Sequence, residues 1–136
     1  MTMAFKPCYL SHILLEEQGD QQVIFITEKD GQRRIPIVIG PLEATAIDRA
    51  VKGQRFPRPL THDLFVNLLQ AIDHDCREIR IVDLKEGTFF AQLVIVGQTG
   101  EEIVLDCRPS DAVALMVRMP GTPLLVAEDV LAEAGG

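Results

Sequence analysis

The sequence has no tryptophan, one tyrosine and six phenylalanines among 136 residues. Platforms that stack successive bases of a single strand are built largely from aromatic rings, so they are poorly supplied here. Cysteine is also scarce. Cys8, Cys76 and Cys107 form no CxxC and no zinc spacing. They read as packed free thiols in a reducing compartment, with a disulfide or a reactive thiol as the alternatives. No run approaches the roughly 18 apolar residues of a membrane span, which excludes a helical membrane protein. Met1–Tyr9 lacks the apolar core of a signal peptide, so the expected location is the cytoplasm, with no membrane partner. Positive charge is in deficit: 13 lysines and arginines face 20 acids, for a net charge of −7. Such a surface repels phosphate backbones at long range and weighs against tight, non-specific DNA binding. A local basic patch is still available from Arg33, Arg34, Lys52, Arg55 and Arg58. No nucleophile elbow, P-loop, dinucleotide fingerprint or HExxH motif occurs.

Against these absences stands one internal likeness. Ile37–Ile47 aligns without a gap on Leu105–Leu115, 68 residues later, half the length of the chain. In both, a strand ends, a proline opens a helix, an acid follows two residues on, and small residues come next. Cys8 and Cys76 share the same offset. The chain therefore reads as one motif used twice, with pseudo-repeats at about 5–68 and 73–136 in a single domain, the size expected of 136 residues.

Periodicity fills in the elements. Strands are expected at Cys8–Leu15, Val23–Thr27 and Arg34–Ile39, with turns at Glu16–Asp20 and Lys29–Gly31. Pro41 suits a first helical position and Gly53 a stop, and Leu42, Ala46, Ile47, Ala50 and Val51 form an apolar stripe between them. Thr61 is placed to cap a second helix whose buried face is Leu64, Phe65, Leu68, Leu69 and Ile72. Strands Glu78–Leu84, Phe89–Val96 and Glu102–Cys107 follow, then a helix from Pro109 to about Arg118, a short strand at Leu124–Val126 and a helix at Glu128–Ala134. Six strands with helices on one side make an α+β fold. The two copies would join into one curved or barrel-like sheet with helices packed on it.

Polar residues concentrate where symmetry alone does not require them. Asp106, Arg108 and Ser110 replace Val38, Gly40 and Leu42 of the first half. Alternation points Asp106 away from Cys107. With Pro109 as first helical residue, Asp111 is third, as Glu43 is after Pro41. A carboxylate there can cap orphan N–H groups and complement the helix dipole. Alternatively, Asp106 and Asp111 approach each other and hold a divalent cation. Arg108 then binds a phosphate or neutralises these acids. In Arg58–Asp63, His62 and Asp63 occupy a first helical turn whose N–H groups can face an anion. A histidine titrates near neutrality and can serve as general base, or it can simply be a surface residue there. Arg58, stiffened by neighbouring prolines, suits a phosphate, or a pair with Asp63. Asp83 sits at a strand end. Asp73-His74-Asp75 resembles a metal triplet but reads better as a solvated helix end, and His12 as a core or edge histidine.

Four motifs in order, Ile35–Ala44, Arg58–Leu64, Asp83–Ala91 and Asp106–Ala112, resemble those of the bifunctional nuclease domain family, over about Tyr9 to Glu133. The resemblance implies an internally duplicated α+β fold and a nuclease acting on DNA and RNA. By motif match it brings forward Glu43, Arg58, Thr61, His62, Asp63, Asp83, Asp106, Arg108, Ser110 and Asp111.

Two functions from different classes follow. One is a metal-dependent phosphodiesterase. Asp106, Asp111 and Glu43 would hold Mg²⁺ or Mn²⁺, with His62, Asp63, Asp106 and Asp111 as the catalytic set. Arg58, Thr61, Arg108 and Ser110 would contact DNA or RNA. It requires these residues from both halves to meet in one cleft. The other is a non-catalytic module that binds a protein or small ligand and self-associates as a homo-oligomer, which exposed strand edges favour.

Overall fold

The computed structural model describes residues 4–16, 18, 19 and 21–136. Of the turn expected at Glu16–Asp20, Glu17 and Asp20 lie outside the described residues. The fold is α+β. In chain order the elements are β1 (Phe5–Leu14), β2 (Gln22–Glu28), β3 (Arg34–Ile39), α1 (Pro41–Val51), α2 (Thr61–Ala71), β4 (Asp75–Lys85), β5 (Thr88–Val96), β6 (Glu102–Cys107), α3 (Pro109–Met116), β7 (Leu124–Ala127) and α4 (Glu128–Ala134). β3, β6 and α4 have the bounds that periodicity suggested. In β3 strict alternation buries Ile35, Ile37 and Ile39 and turns Arg34, Pro36 and Val38 outward. The β4–β5 hairpin turns on Glu86 (φ 51°) and Gly87 (φ 77°). Two consecutive residues with positive φ are what a twist-matched two-residue hairpin demands.

The strands form one seven-stranded sheet in the order β3-β2-β1-β7-β4-β5-β6. All pairings are antiparallel except β7 with β4. Six strands were expected, with Leu124–Val126 a minor addition; the observed sheet has seven, and β7 is its centre. Leu124 and Val126 are buried there, and the strand joins the two three-stranded meanders. Four apolar residues carry too little periodicity to reveal such a role.

The sheet is curved but not closed. The seven-residue α4 touches β3, β7 and β4. β3 and β4 stand four places apart in the sheet, about 19 Å if it were flat. One helix, about 10 Å across, meets both only if the sheet curls around it. A full barrel does not form, because β3 and β6 remain unpaired edges. Both are unsuited to pairing: Pro36 lacks a ladder donor, and β6 carries Glu102 and Asp106 near its ends.

Ile24, Ile26, Ile35, Ile47, Ile79 and Ile81 are fully buried at the centre of the core. In α3 the small residues Ala112 and Ala114 are buried with Val113 and Leu115, allowing close approach to β5 and α1. The helix stripes expected in the first half are only partly buried. In α1, Ala44 and Ile47 are covered, whereas Leu42 and Val51 are exposed. In α2, Leu69 is buried and Phe65 half-buried, but Leu64, Leu68 and Ile72 are 62%, 52% and 49% exposed. α2 sits on the rim, against α3 and β4, so only its inner edge meets apolar neighbours. No helix among the described residues is long and apolar enough to cross a membrane.

All three cysteines are free. Burial pushes the thiols of Cys8 and Cys107 up to about 11 and about 12, with nearby Glu28 and Asp111 adding to it respectively. Burial also raises Cys76. Such thiols are poor nucleophiles at neutral pH, which disfavours the reactive-thiol alternative.

Candidate active site

Packing of α1 and α2 against α3 brings three helix N-termini together. Proline is the first residue of both α1 and α3, where its fixed φ fits and its missing N–H costs nothing. Glu43 and Asp111 therefore fall at the third position of their helices, and His62 at the second position of α2. The three side chains are linked through Arg108. Its Nε and Nη2 donate to Asp111 Oδ2 and Oδ1 at 2.9 and 3.2 Å, a two-pronged contact. Its Nη1 donates to Glu43 Oε1 at 3.1 Å. His62 Nε2 lies 3.1 Å from Asp111 Oδ1. The result is a continuous chain, Glu43–Arg108–Asp111–His62, drawn from both halves of the sequence.

Its electrostatics are uneven. Arg108 is 64% exposed, whereas the His62 and Asp111 side chains are 19% and 31% exposed. Burial works to raise the Asp111 carboxyl, but hydrogen bonds from Arg108 and His62 and their charge outweigh it and hold the group below the usual range. Asp111 and then Glu43 raise the Arg108 guanidinium. An ionised Asp111 favours the imidazole tautomer with its proton on Nε2, which leaves Nδ1 as the acceptor.

Asp63 performs the capping expected of the other acids. Its Oδ2 accepts the Leu60 backbone N–H at 2.9 Å, and that bond is the main reason its carboxyl lies low. Leu60, not Thr61, is the N-cap; Thr61 is the first helical residue and is exposed. Asp63 Oδ1 accepts from Arg118 Nε at 2.8 Å. Arg118 also donates to the carbonyls of Ala114 and Ala46, at 2.7 and 3.2 Å, and so ties α1, α2 and α3 together. Nothing in the sequence reading singled out Arg118. One available signal was its place as a lone cation in the apolar run Ala112–Met119, seven residues after Asp111 and thus on the same helical face.

Other expected residues stand apart. Asp106 pairs in register with Gln92 and is exposed, while its neighbour Cys107 packs toward the core opposite Ala91. Asp106 thus faces the side of the sheet away from the helices and from His62. The requirement that it meet His62 and Asp111 in one cleft is not met. Among the described residues no three His, Cys, Asp or Glu side chains stand as a cation-binding group. Glu43 and Asp111 already share a guanidinium, whose charge opposes a cation between them. The set Asp106, Asp111 and Glu43 does not fit Mg²⁺ or Mn²⁺ in this arrangement.

Ser110 is buried. With Arg108 it lines a cleft of about 430 Å³ between Pro36–Ile39 of β3, with Gly40 beyond it, and Thr88–Phe89 of β5. Arg58 is exposed and does not pair with Asp63, which Arg118 holds. The expected basic patch divides. Arg33 pairs with Glu28 and Glu128, Arg34 lies over the Phe25 ring, and Lys52 pairs with Asp48. Arg55 and Arg58 have no ion pair among the described residues. Asp83 contacts Lys85 at 3.3 Å and the Leu84 N–H. His74 turns to the Ile72 carbonyl at 2.7 Å, and His12 is exposed beside Phe25.

The fold is an α+β domain whose curved sheet carries a histidine–carboxylate pair where three helix N-termini meet. The chain belongs to the bifunctional nuclease domain family, whose model matches residues 23–136. It is 46% identical over 123 residues to the uncharacterized protein Rv1829 of Mycobacterium tuberculosis, covering 90% of this chain and 72% of that protein. It is 24% identical over 107 residues to Bifunctional nuclease 1 of Arabidopsis thaliana, and 23% identical over 107 residues to Bifunctional nuclease 1 of Oryza sativa subsp. japonica. These matches cover 76% of this chain but only 33% and 32% of the plant proteins.

Proposed function

We propose that this chain is a nuclease that hydrolyses phosphodiester bonds in DNA and RNA, with the His62–Asp111 pair at its centre. The observation that carries this reading is the pair itself: a half-buried imidazole held at 3.1 Å by a carboxylate 49 residues away, in a member of a nuclease-named family. His62 Nδ1 takes a proton from water as the water oxygen bonds to phosphorus. The ester P–O bond breaks, and the departing oxygen is protonated from solvent. Asp111 orients the ring and stabilises the imidazolium that forms. Arg108, the most exposed member of the chain, is placed to exchange a carboxylate contact for a phosphate oxygen. Asp63 and Arg118 position α2, and with it His62.

The test is cleavage of single-stranded DNA, duplex DNA and RNA by highly purified protein, in EDTA and with added Mg²⁺ or Mn²⁺. His62→Ala is expected to lower the rate by about a hundredfold or more. Equal cleavage by the variant would remove His62 from the mechanism. Absence of cleavage by both proteins would remove the nuclease.

A second reading, self-association, has its own support. Leu64 and Leu68 of α2 and Ile72 at its C-cap form an exposed apolar stripe at helical spacing. Sedimentation at micromolar concentration is expected to show a homo-oligomer that Leu68→Glu dissociates. A wild-type monomer at all concentrations would dismiss this reading.

A further inference from the structure

We propose that the segment Arg49–Leu60 and the cleft it walls are a docking face for single-stranded polynucleotide; the identity of the polyanion rests on the nuclease reading above. Arg49, Lys52, Arg55 and Arg58 lie within this stretch, and all 20 acids of the chain lie outside it. The local sign of charge is therefore opposite to that of the protein, whose net charge is −7. Lys52 is answered by Asp48. Arg55 and Arg58 are exposed and have no ion pair among the described residues, so no ion pair must be broken before they meet phosphate.

The same segment walls a cleft of about 490 Å³ lined by Arg49, Arg55, Phe56 and Asn67, within the range of about 300–1,000 Å³ usual for ligand sites. Phe56 is 40% exposed, and the Arg49 guanidinium lies 5.1 Å from its ring centroid. An exposed ring with a guanidinium beside it can take a base and its phosphate together. Pro57 and Pro59 stiffen the loop, so little backbone freedom is lost on binding. Asn67 adds a side-chain amide that can meet a base edge.

Asp63 also lines this cleft and immediately follows His62. The cleft thus borders the first turn of α2, the turn that carries His62. A base must be unstacked from its partner to lie on Phe56, which favours single strands over a duplex.

Fluorescence anisotropy of a short labelled oligothymidylate in EDTA tests the proposal without relying on turnover. Arg55→Ala/Arg58→Ala is expected to weaken binding by about tenfold or more and to reduce the slope of log affinity against log salt by about 1.4, two contacts' worth for a single strand. Phe56→Leu is expected to weaken binding roughly fivefold or more, with the salt slope unchanged. All three positions are exposed, so the circular dichroism and melting temperature of each variant should match wild type. A duplex of the same length should bind less tightly. Wild-type affinity in both variants overturns the proposal, as does polyglutamate that competes as well as the oligonucleotide. Cleavage with loop-independent affinity sinks the docking face and leaves the nuclease standing. Loop-dependent binding by a protein that never cleaves does the reverse.

Discussion

Arg118→Ala is expected to lower the unfolding free energy by about 3 kcal/mol, a large share of a small protein's stability. The side chain is 9% exposed, and its guanidinium serves a carboxylate and two carbonyls on three different helices. Truncation leaves the Ala46 and Ala114 carbonyls without this donor and Asp63 without its cation. Asp63 is 38% exposed, so water recovers part of that loss, and the figure stays below the upper end for a fully buried pair. Arg118→Lys restores the charge but cannot reach three acceptors in one plane, and should recover less than half. Urea unfolding with an unchanged m-value checks both. A loss below about 1 kcal/mol would show that the three-way tie is not stabilising. Because Asp63 helps to seat the first turn of α2, the Lys variant should also loosen His62 and reduce the cleavage rate at a temperature where the protein remains folded.

Asp111→Asn is expected to lower kcat for cleavage by about a hundredfold to ten-thousandfold, with KM little changed. The amide removes the negative charge that stabilises imidazolium. It can also present an N–H to Nε2, which would move the ring proton to Nδ1, the nitrogen that must accept one. The sign of the acid dependence follows from the low folded pKa of Asp111. Its contribution to stability is complete above the ordinary carboxylate range, near pH 4, and is lost as pH falls through the lower folded value. The Asn variant should lack that acid-side component while folding normally at neutral pH. A rate within threefold of wild type would leave Asp111 as a partner for Arg108 and nothing more.

Much of this arrangement was legible in local pattern. Pro41 and Pro109 placed Glu43 and Asp111 at equivalent helical positions, and alternation through β6 turned Asp106 away from Cys107. The same alternation argues against a site combining Asp106 with Asp111, because it puts Asp106 on the face opposite Cys107 and the core. The α2 stripe misled for a different reason. Leu64, Leu68 and Ile72 have the spacing of a buried face, but spacing records only which residues share a side, not whether anything packs on that side.

The sequence by itself determined the strands and helices, their order, the proline-led helix starts and the family, because these depend on residue type and on neighbours within a few positions. Tertiary structure alone decided that β7 is central, that the sheet curls without closing, that Arg108 joins Glu43 to Asp111 while Arg118 takes Asp63, and that His62 meets Asp111 across 49 residues. These are pairings between distant segments, and which arginine reaches which carboxylate depends on how three helices settle against one another, a balance of packing that no local periodicity encodes.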